Sequence, residues 1–298
     1  MRRVFNDASL QKTFDRKGYV QTPFLDARQV RSLKQAYFDT LGHSGGSLLA
    51  AEADFKSSSE ITYEFTFIDR NPAYKRLVFD ILTAALDGPQ RQLLDDYRPI
   101  IANFIHKKPD GGEVPLHQNW AFVDERRCTS VSIWCPLVDS CEANGTLQFV
   151  EGSHKRFGEM RGPMVPWELS QIQREIIDEH LAPAQDIAAG QAVVLDDSIV
   201  HYSNINRTEG LRLAIQLILV PREEATIHFH MNPHENRNVV EKLEVDLEFF
   251  MNFHPWKKPE HFKHLATLPY QQNFLGVDEF KARLRQPPFD APAGEPSR

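Results

Sequence analysis

Hydrophobic and polar residues follow two periods along the chain, a helical period first and a strand period later. Residues 8–42 fit two short helices around an extended piece, and Asp26 is placed to cap the second helix. Over 73–97 the apolar residues recur at helical spacing, with an expected break at Gly88-Pro89. The segment 42–59 is rich in Gly, Ser and Ala, which predicts a loop. The first third of the chain is therefore expected to be mainly helical.

From residue 99 onwards the pattern changes to short apolar segments of strand length. We predict strands over 100–105, 117–122, 130–138, 146–150, 190–195, 211–220 and 226–230. A helical insert is expected over 167–181 and a further helix over 239–251. Many short strands preceded by helices are typical of a mainly β fold with flanking helices, built on a double-sheet barrel or jelly roll.

The strand-rich part contains no stretch rich enough in Pro or Gly to mark a linker, so we predict one domain over 1–284. Within it, helical support is expected over about 1–98, a β core over about 99–232, and a helical, His-rich region over 233–284. The last segment, 285–298, carries four prolines and little to bury, which predicts a flexible tail.

Composition narrows the class of protein. The 298 residues carry a net charge of -7, which argues against a nucleic-acid partner because phosphate binding requires a basic face. The sequence contains neither a membrane-spanning apolar run nor a secretory signal, so we expect a cytoplasmic protein. Cys128, Cys135 and Cys141 lack metal-binding spacing and are expected to be reduced thiols without a catalytic role. Nothing in the sequence fixes the oligomeric state.

One constellation of polar residues stands out in the strand-rich part. His117 and Asn119 are two residues apart on a predicted strand, so both side chains can face one metal ion. His201 follows a buried strand and could complete a facial triad of the kind that binds non-haem iron. Two histidines among 12 are weak evidence alone. Ser203 and Arg212 strengthen it, because they could together hold the distal carboxylate of 2-oxoglutarate.

These residues, with the segments around them, resemble the phytanoyl-CoA dioxygenase family of Fe(II)/2-oxoglutarate enzymes. The segments that carry the resemblance are 116–118, 132–137, 142–147, 150–155 and the block from 190 to 212. The resemblance implies a double-stranded β-helix (cupin-like) core, with Fe(II), 2-oxoglutarate and O2 as cofactor and co-substrates. It also implies that His117 and His201 bind iron, that Arg212 and Ser203 bind the distal carboxylate, and that Trp134 lies beside the co-substrate.

Asn119 departs from the family pattern, in which an aspartate would stand at this position. One alternative is that Asn119 still binds iron or orients a water and the enzyme oxidises its substrate. A second is a halogenase, although members of that class usually have Gly or Ala here, which leaves room for the halide. A third is a protein that binds a ligand or metal without redox chemistry. A carboxylate from elsewhere, such as Asp124 or Glu125, could also replace the missing ligand.

The sequence thus predicts an oxygenase that hydroxylates a small organic metabolite, whose substrate could bear a carboxylate or a carrier. Asn103 is a further candidate for a hydrogen bond to 2-oxoglutarate. Two features have a structural and a functional interpretation that the sequence does not separate. His228, His230 and His234 fit either a second metal site or an edge strand, and the pair at 126–127 fits either an anionic substrate or a solvated surface.

Overall fold

The computed structural model describes residues 2–48, 63–255 and 257–289. The predicted loop over 42–59 therefore lies partly outside the described residues, as does the predicted tail from 290 onwards. The helices are α1 Ala8–Lys17, α2 Ala27–Thr40, α3 Pro72–Leu93, α4 Gln173–Glu179, α5 Leu247–Met251 and α6 Val277–Leu284. The strands are β1 Tyr19–Pro23, β2 Tyr63–Phe65, β3 Tyr97–Lys107, β4 Val114–His117, β5 Val131–Pro136, β6 Leu147–Phe149, β7 Gln191–Asp196, β8 His201–Ser203, β9 Arg212–Pro221, β10 Ile227–His230, β11 Val239–Glu244 and β12 Lys263–Pro269.

Two antiparallel sheets form the core and a third extends it. The main sheet has six strands in the order β1-β7-β5-β9-β3-β2, and a smaller sheet has the order β4-β8-β6. Residues of both sheets line one chamber, so the sheets face each other across it. The third sheet, β10-β11-β12, is formed by the C-terminal part of the chain. The prediction of a mainly β, jelly-roll fold with flanking helices is confirmed.

The main sheet is buried on both faces, and strand periodicity decides which side chains meet which layer. On β9, Leu213, Ile215 and Leu217 pack with the N-terminal helices. Arg212 and Gln216 alternate with them and line the chamber. The other central strands, β3 and β5, divide their side chains in the same way. The helices therefore support the sheet from behind and leave its other face for the chamber.

The helices that support the sheet begin at caps that the sequence shows. Asp26 accepts hydrogen bonds from Arg28 N and Gln29 N, and Asp26 N in turn donates to Gln29 Oε1. The predicted break at Gly88-Pro89 is wrong, because α3 continues through both residues. Leu86 and Gln90 are buried on either side of them, so tertiary packing holds the turn that Pro89 weakens.

Two further predictions of secondary structure are wrong. The strand predicted over 117–122 ends at His117, and the segment that follows is held by the Gln118 side chain, which donates to Phe157 O and Ser198 O. β11 and β12 contradict the helix predicted over 239–251 and the helical region predicted over 233–284, because both elements are strands. Two β-branched valines begin β11, which pairs with β10 and β12 on its two edges.

The described start of the predicted tail contacts the domain. Arg156 Nε donates to Gln286 O over 2.9 Å, and Phe289 N donates to Lys155 O over 2.7 Å. In the described part of the chain, no helix combines the length and the apolar character that a bilayer crossing requires.

Candidate metal and co-substrate site

Two imidazoles lie side by side in the small sheet. His117 ends β4 and His201 begins β8, and the two residues are direct partners in the antiparallel register. Their ring centroids are 4.1 Å apart. Each Nδ1 lies within hydrogen-bond distance of a backbone carbonyl of its own segment, Pro115 O at 2.8 Å and Ile199 O at 3.0 Å. These bonds place the proton on Nδ1 and leave both Nε2 atoms free to bind a metal ion.

Burial keeps both rings neutral. It lowers the pKa of His117, and it lowers the pKa of His201 well below its usual value, with a further contribution from the neighbouring His117. A neutral imidazole carries the lone pair that metal binding requires. The donor set therefore suits a transition metal ion, for which imidazole nitrogen is a preferred ligand.

Asn119 lies next to this pair, and its side-chain contact with His117 raises the pKa of His117. Its Nδ2 donates to Asp197 Oδ1 over 2.8 Å and to Ser132 Oγ over 3.2 Å. Among the described residues, no group of three or more His, Cys, Asp or Glu side chains could hold a metal ion. In the part of the chain that the structure describes, the candidate for a third ligand in this site is therefore the neutral Asn119 amide.

Arg212 provides a buried cation in the same chamber. Its side chain is 2% exposed, and its Nε and Nη1 have no hydrogen-bond partner among the residues that the structure describes. The guanidinium carbon lies 5.4 Å from the centroid of the Trp134 ring. Burial lowers the pKa of Arg212 to about 9, so the group remains charged at neutral pH. A buried guanidinium with two nitrogens available in this way is suited to a two-pronged contact with a carboxylate.

Lys107 and Ser203 form a second polar group beside Arg212. Lys107 is the register partner of Arg212, and its Nζ donates to Ser203 Oγ, Ser203 O and Asn204 O. The Ser203 hydroxyl donates to Gly145 O over 2.7 Å. Ser203 thus lines the chamber as the sequence suggests, but both of its hydrogen-bonding functions are engaged within the protein. Burial and the nearby Arg212 lower the pKa of Lys107 to about 6.

The chamber itself has a volume of about 380 Å³ and is mainly apolar. Asn103 lines it, accepts from Phe67 N over 2.8 Å and donates to Gln216 Oε1 over 3.0 Å. The structure therefore brings all the predicted site residues into one place, namely His117, Asn119, His201, Ser203, Arg212, Trp134 and Asn103.

Three residues of the site were not predicted from the sequence. Lys107, Asp197 and Gln216 are remote along the chain from the residues that they contact, and none belongs to the metal-binding pattern. Burial raises the pKa of Asp197 to about 7, and its Oδ2 has no hydrogen-bond partner in the described ranges. Of the three, only Asp197 could have been identified as a candidate from the sequence, because it lies in the polar turn before His201.

Several alternative candidates have structural partners. Asp124 pairs with Lys242, so it does not replace the missing iron ligand. Glu125 does not replace it either, because it forms a buried ion pair with Arg161. His228 and His230 are buried with ring centroids 6.2 Å apart, and no third ligand of the His, Cys, Asp or Glu type joins them within the described part of the chain.

A larger cleft of about 980 Å³ opens beside the chamber and shares four lining residues with it, His117, Gln118, Trp120 and Pro163. Most of its charged residues form ion pairs with one another. Arg126 pairs with Glu159, and Arg283 pairs with Glu168. Arg127, the other arginine predicted to meet an anionic substrate, pairs with Glu224. The two cavities therefore meet beside His117.

Comparisons with known proteins identify the family of this chain. A family model described as "Phytanoyl-CoA dioxygenase (PhyH)" matches residues 14–214. The "Phytanoyl-CoA dioxygenase domain-containing protein 1 homolog" of Dictyostelium discoideum is 30% identical over 132 residues, 41% of this chain and 46% of that protein. "Phytanoyl-CoA dioxygenase 1" of Oryza sativa subsp. japonica is 28% identical over 169 residues, 51% of this chain and 54% of that protein. The chain spans about half the length of the curated relatives it matches.

Solved structures share the fold at low sequence identity. The 2-oxoglutarate-dependent carbocyclase SnoK from nogalamycin biosynthesis superposes with a TM-score of 0.53 at 16% identity, covering 74% of this chain and 86% of that one. HygX from Streptomyces hygroscopicus, with nickel, 2-oxoglutarate and hygromycin B bound, gives a TM-score of 0.51 at 16% identity, covering 73% of this chain and 88% of that one. At these identities the likeness establishes the fold alone.

Proposed function

Because this chain belongs to the phytanoyl-CoA dioxygenase family, we propose that it is an Fe(II)/2-oxoglutarate-dependent oxygenase that hydroxylates a small organic molecule. The observation that carries the proposal is the arrangement of one chamber. Two neutral imidazoles present free Nε2 atoms in the chamber that also holds the unpaired Arg212 guanidinium. A divalent metal and a dicarboxylate together satisfy both groups.

Each residue has a distinct part in this proposal. His117, His201 and the Asn119 amide oxygen hold the iron, and Arg212 binds the distal carboxylate of 2-oxoglutarate against the Trp134 ring. Bound iron and 2-oxoglutarate supply the activation of O2 for attack on a substrate C–H bond. The protein orients the substrate and keeps water away from the metal with apolar chamber walls.

We infer the substrate class from the chamber walls. Aromatic and aliphatic side chains dominate them, including Phe67, Trp120, Phe122, Ile218 and Phe253. No carboxylate is found among the described lining residues, and the Arg212 charge would be neutralised by 2-oxoglutarate. The part of the substrate that is oxidised is therefore an apolar group. A polar remainder, such as a carboxylate or a carrier, would extend into the outer cleft.

The first test is co-substrate binding. Anaerobic protein with Fe(II) and 2-oxoglutarate should show the weak visible absorption of the chelate, and candidate apolar metabolites should stimulate succinate release. Arg212→Met should weaken 2-oxoglutarate binding by about 2–5 kcal/mol, because a buried charged contact is lost. Arg222→Met is the matched control, since Arg222 follows the same strand but pairs with Asp96 at the surface. Equal 2-oxoglutarate affinity in both variants would contradict the proposal.

A non-catalytic binding protein is the second candidate, because the third metal ligand is neutral. One assay distinguishes an oxygenase from a binding protein. An oxygenase releases succinate in the presence of O2 and substrate, whereas a binding protein forms the complex and releases none. A halogenase fits less well, since the Asn119 side chain occupies the ligand position that a halide would need.

A further inference from the structure

Asn119 belongs to a buried hydrogen-bond network that determines which way its amide points. Asp197 and Ser132 are fully buried, and Ser132 Oγ donates to Asp197 Oδ1 over 2.7 Å. That bond uses the one hydrogen of the Ser132 hydroxyl, so Ser132 can only accept from Asn119. The Asp197 carboxylate oxygen also accepts from Asn119. Both contacts therefore require the Asn119 NH2 group to point towards Asp197 and Ser132.

The amide oxygen is therefore left for the opposite side. Both hydrogens of Asn119 Nδ2 are used, one on Asp197 Oδ1 at 2.8 Å and one on Ser132 Oγ at 3.2 Å. Asn119 Oδ1 is then the atom turned towards the His117 side chain, which Asn119 contacts. The Asn119 backbone is held as well, because its carbonyl accepts from Arg161 Nε over 2.7 Å.

We propose that Asp197 is a positioning residue that turns the Asn119 amide oxygen towards the metal, and that this pair replaces the aspartate usual in the family. This inference rests on the proposed function, because it concerns the same metal site.

The pairing also explains why an aspartate cannot simply be restored at position 119. An aspartate there would place a carboxylate oxygen at the Nδ2 position, 2.8 Å from Asp197 Oδ1. Two carboxylates at this distance cannot both ionise in a buried site. Asn119→Asp alone should therefore impair the site, whereas the exchange Asn119→Asp with Asp197→Asn should rebuild it with the charge on the ligand.

The test uses Co(II) with 2-oxoglutarate as a probe that does not turn over, measured by calorimetry and by the visible spectrum of Co(II). Asp197→Leu, which removes the acceptor, should weaken Co(II) binding by about 10–100-fold and change the spectrum. Asp197→Asn keeps an acceptor and should lose less affinity. Asn119→Asp should bind Co(II) no better than wild type, and the double variant should restore at least wild-type affinity. Asp87→Asn, an exposed residue on α3 paired with Arg91, is the control.

The melting temperature of the metal-free protein gives a second readout. Asn119→Asp should lower it and the double variant should recover it, so a poorly folding single variant that the exchange rescues also supports the pairing. Tighter Co(II) binding by Asn119→Asp alone, with no further gain in the double variant, would overturn the inference. Absence of Co(II) binding by the wild-type protein would instead overturn the proposed function.

Discussion

Two glutamates of this chain make the same contact in opposite environments. Glu125 and Arg161 form a two-pronged ion pair whose side chains are 4% and 5% exposed. Glu159 and Arg126 form an equivalent pair whose side chains are 42% and 60% exposed. The buried pair also fixes the Asn119 carbonyl through Arg161.

These two pairs predict unequal effects of one substitution. Glu125→Gln leaves the Arg161 charge buried and uncompensated, so we expect the free energy of unfolding to fall by about 3–5 kcal/mol. Glu159→Gln should lower it by less than about 1 kcal/mol, because solvent screens the exposed pair. Urea denaturation at neutral pH measures both values. Similar losses in the two variants would show that burial does not control the strength of these pairs.

A buried histidine makes stability depend on pH. His228 is 4% exposed, its ring centroid lies 4.7 Å from that of Phe249, and burial together with His230 lowers its pKa to about 3. The unfolded chain binds a proton at this residue below its ordinary pKa of about 6.5, whereas the folded chain does not until about pH 3. The stability that neutral His228 provides is therefore lost as the pH falls from 6.5 towards 3.

We expect this residue to account for about 2 kcal/mol of the stability lost between pH 7.5 and pH 5. His228→Gln should flatten the pH dependence by that amount, although it lowers stability at neutral pH by disturbing the aromatic cluster. His234→Gln, at an exposed position, should leave the slope unchanged. Denaturation series at both pH values decide the matter, and an unchanged slope in His228→Gln would refute the assignment.

At the residue scale, the sequence predicted the site residues that follow a recognisable pattern, but not the residues that hydrogen-bond to them. His117, His201 and Arg212 could be found because metal and carboxylate binding requires those residue types at those spacings. Asp197 and Lys107 could not, because their roles arise only when remote segments meet. Asp197 reaches Asn119 across 78 positions and Lys107 reaches Ser203 across 96.

Secondary structure was predictable wherever only one period fitted the sequence. The main sheet alternates between a helix-facing and a chamber-facing side, and this alternation is visible along β9. The segment that became β11 and α5 fits two periods. Val240, Leu243, Leu247 and Phe250 have helical spacing, yet Val240 and Leu243 are fully buried within a strand. Only the pairing of β11 with β10 and β12 distinguishes the alternatives.

Two glycines in or next to helices predict opposite effects of the same substitution. Gly88 is exposed inside α3, and an added Cβ would meet nothing within 4 Å apart from its two chain neighbours. Gly18 ends α1 with φ of 82°, and an added Cβ would lie 2.6 Å from His154 Nδ1. The first glycine weakens a helix, and the second allows a left-handed turn and a close contact.

We therefore expect Gly88→Ala to raise the free energy of unfolding by less than about 0.5 kcal/mol, because crowding between the new Cβ and the Pro89 ring offsets part of the helix gain. Gly18→Ala should lower it by about 1–3 kcal/mol through backbone strain and the clash with His154. Thermal and urea unfolding of both variants are sufficient. Destabilisation by Gly88→Ala would mean that α3 needs a flexible point at the position where the sequence suggested a break.

At the scale of the whole molecule, the site retains an unpaired charge inside its fold. Arg212 is buried, two of its nitrogens lack partners among the described residues, and it lies opposite the Lys107 position in the sheet register. A buried cation without a partner opposes folding. Replacing Arg212 by an apolar residue should therefore raise stability and weaken co-substrate binding, a trade-off that is common at functional sites.

Arg212→Met tests this opposition in the protein free of metal and 2-oxoglutarate. Methionine fills similar space without a charge, so we expect the free energy of unfolding to rise by about 1–2 kcal/mol. With Fe(II) present under anaerobic conditions, 2-oxoglutarate at about a hundred times its dissociation constant should stabilise the wild type by about 2.7 kcal/mol and the variant hardly at all. Arg222→Met, at the surface, should change neither quantity by more than about 0.5 kcal/mol. A metal-free variant that is less stable than the wild type would contradict this expectation. Arg212 would then be a structural residue, because its loss would weaken the fold even in the absence of co-substrate.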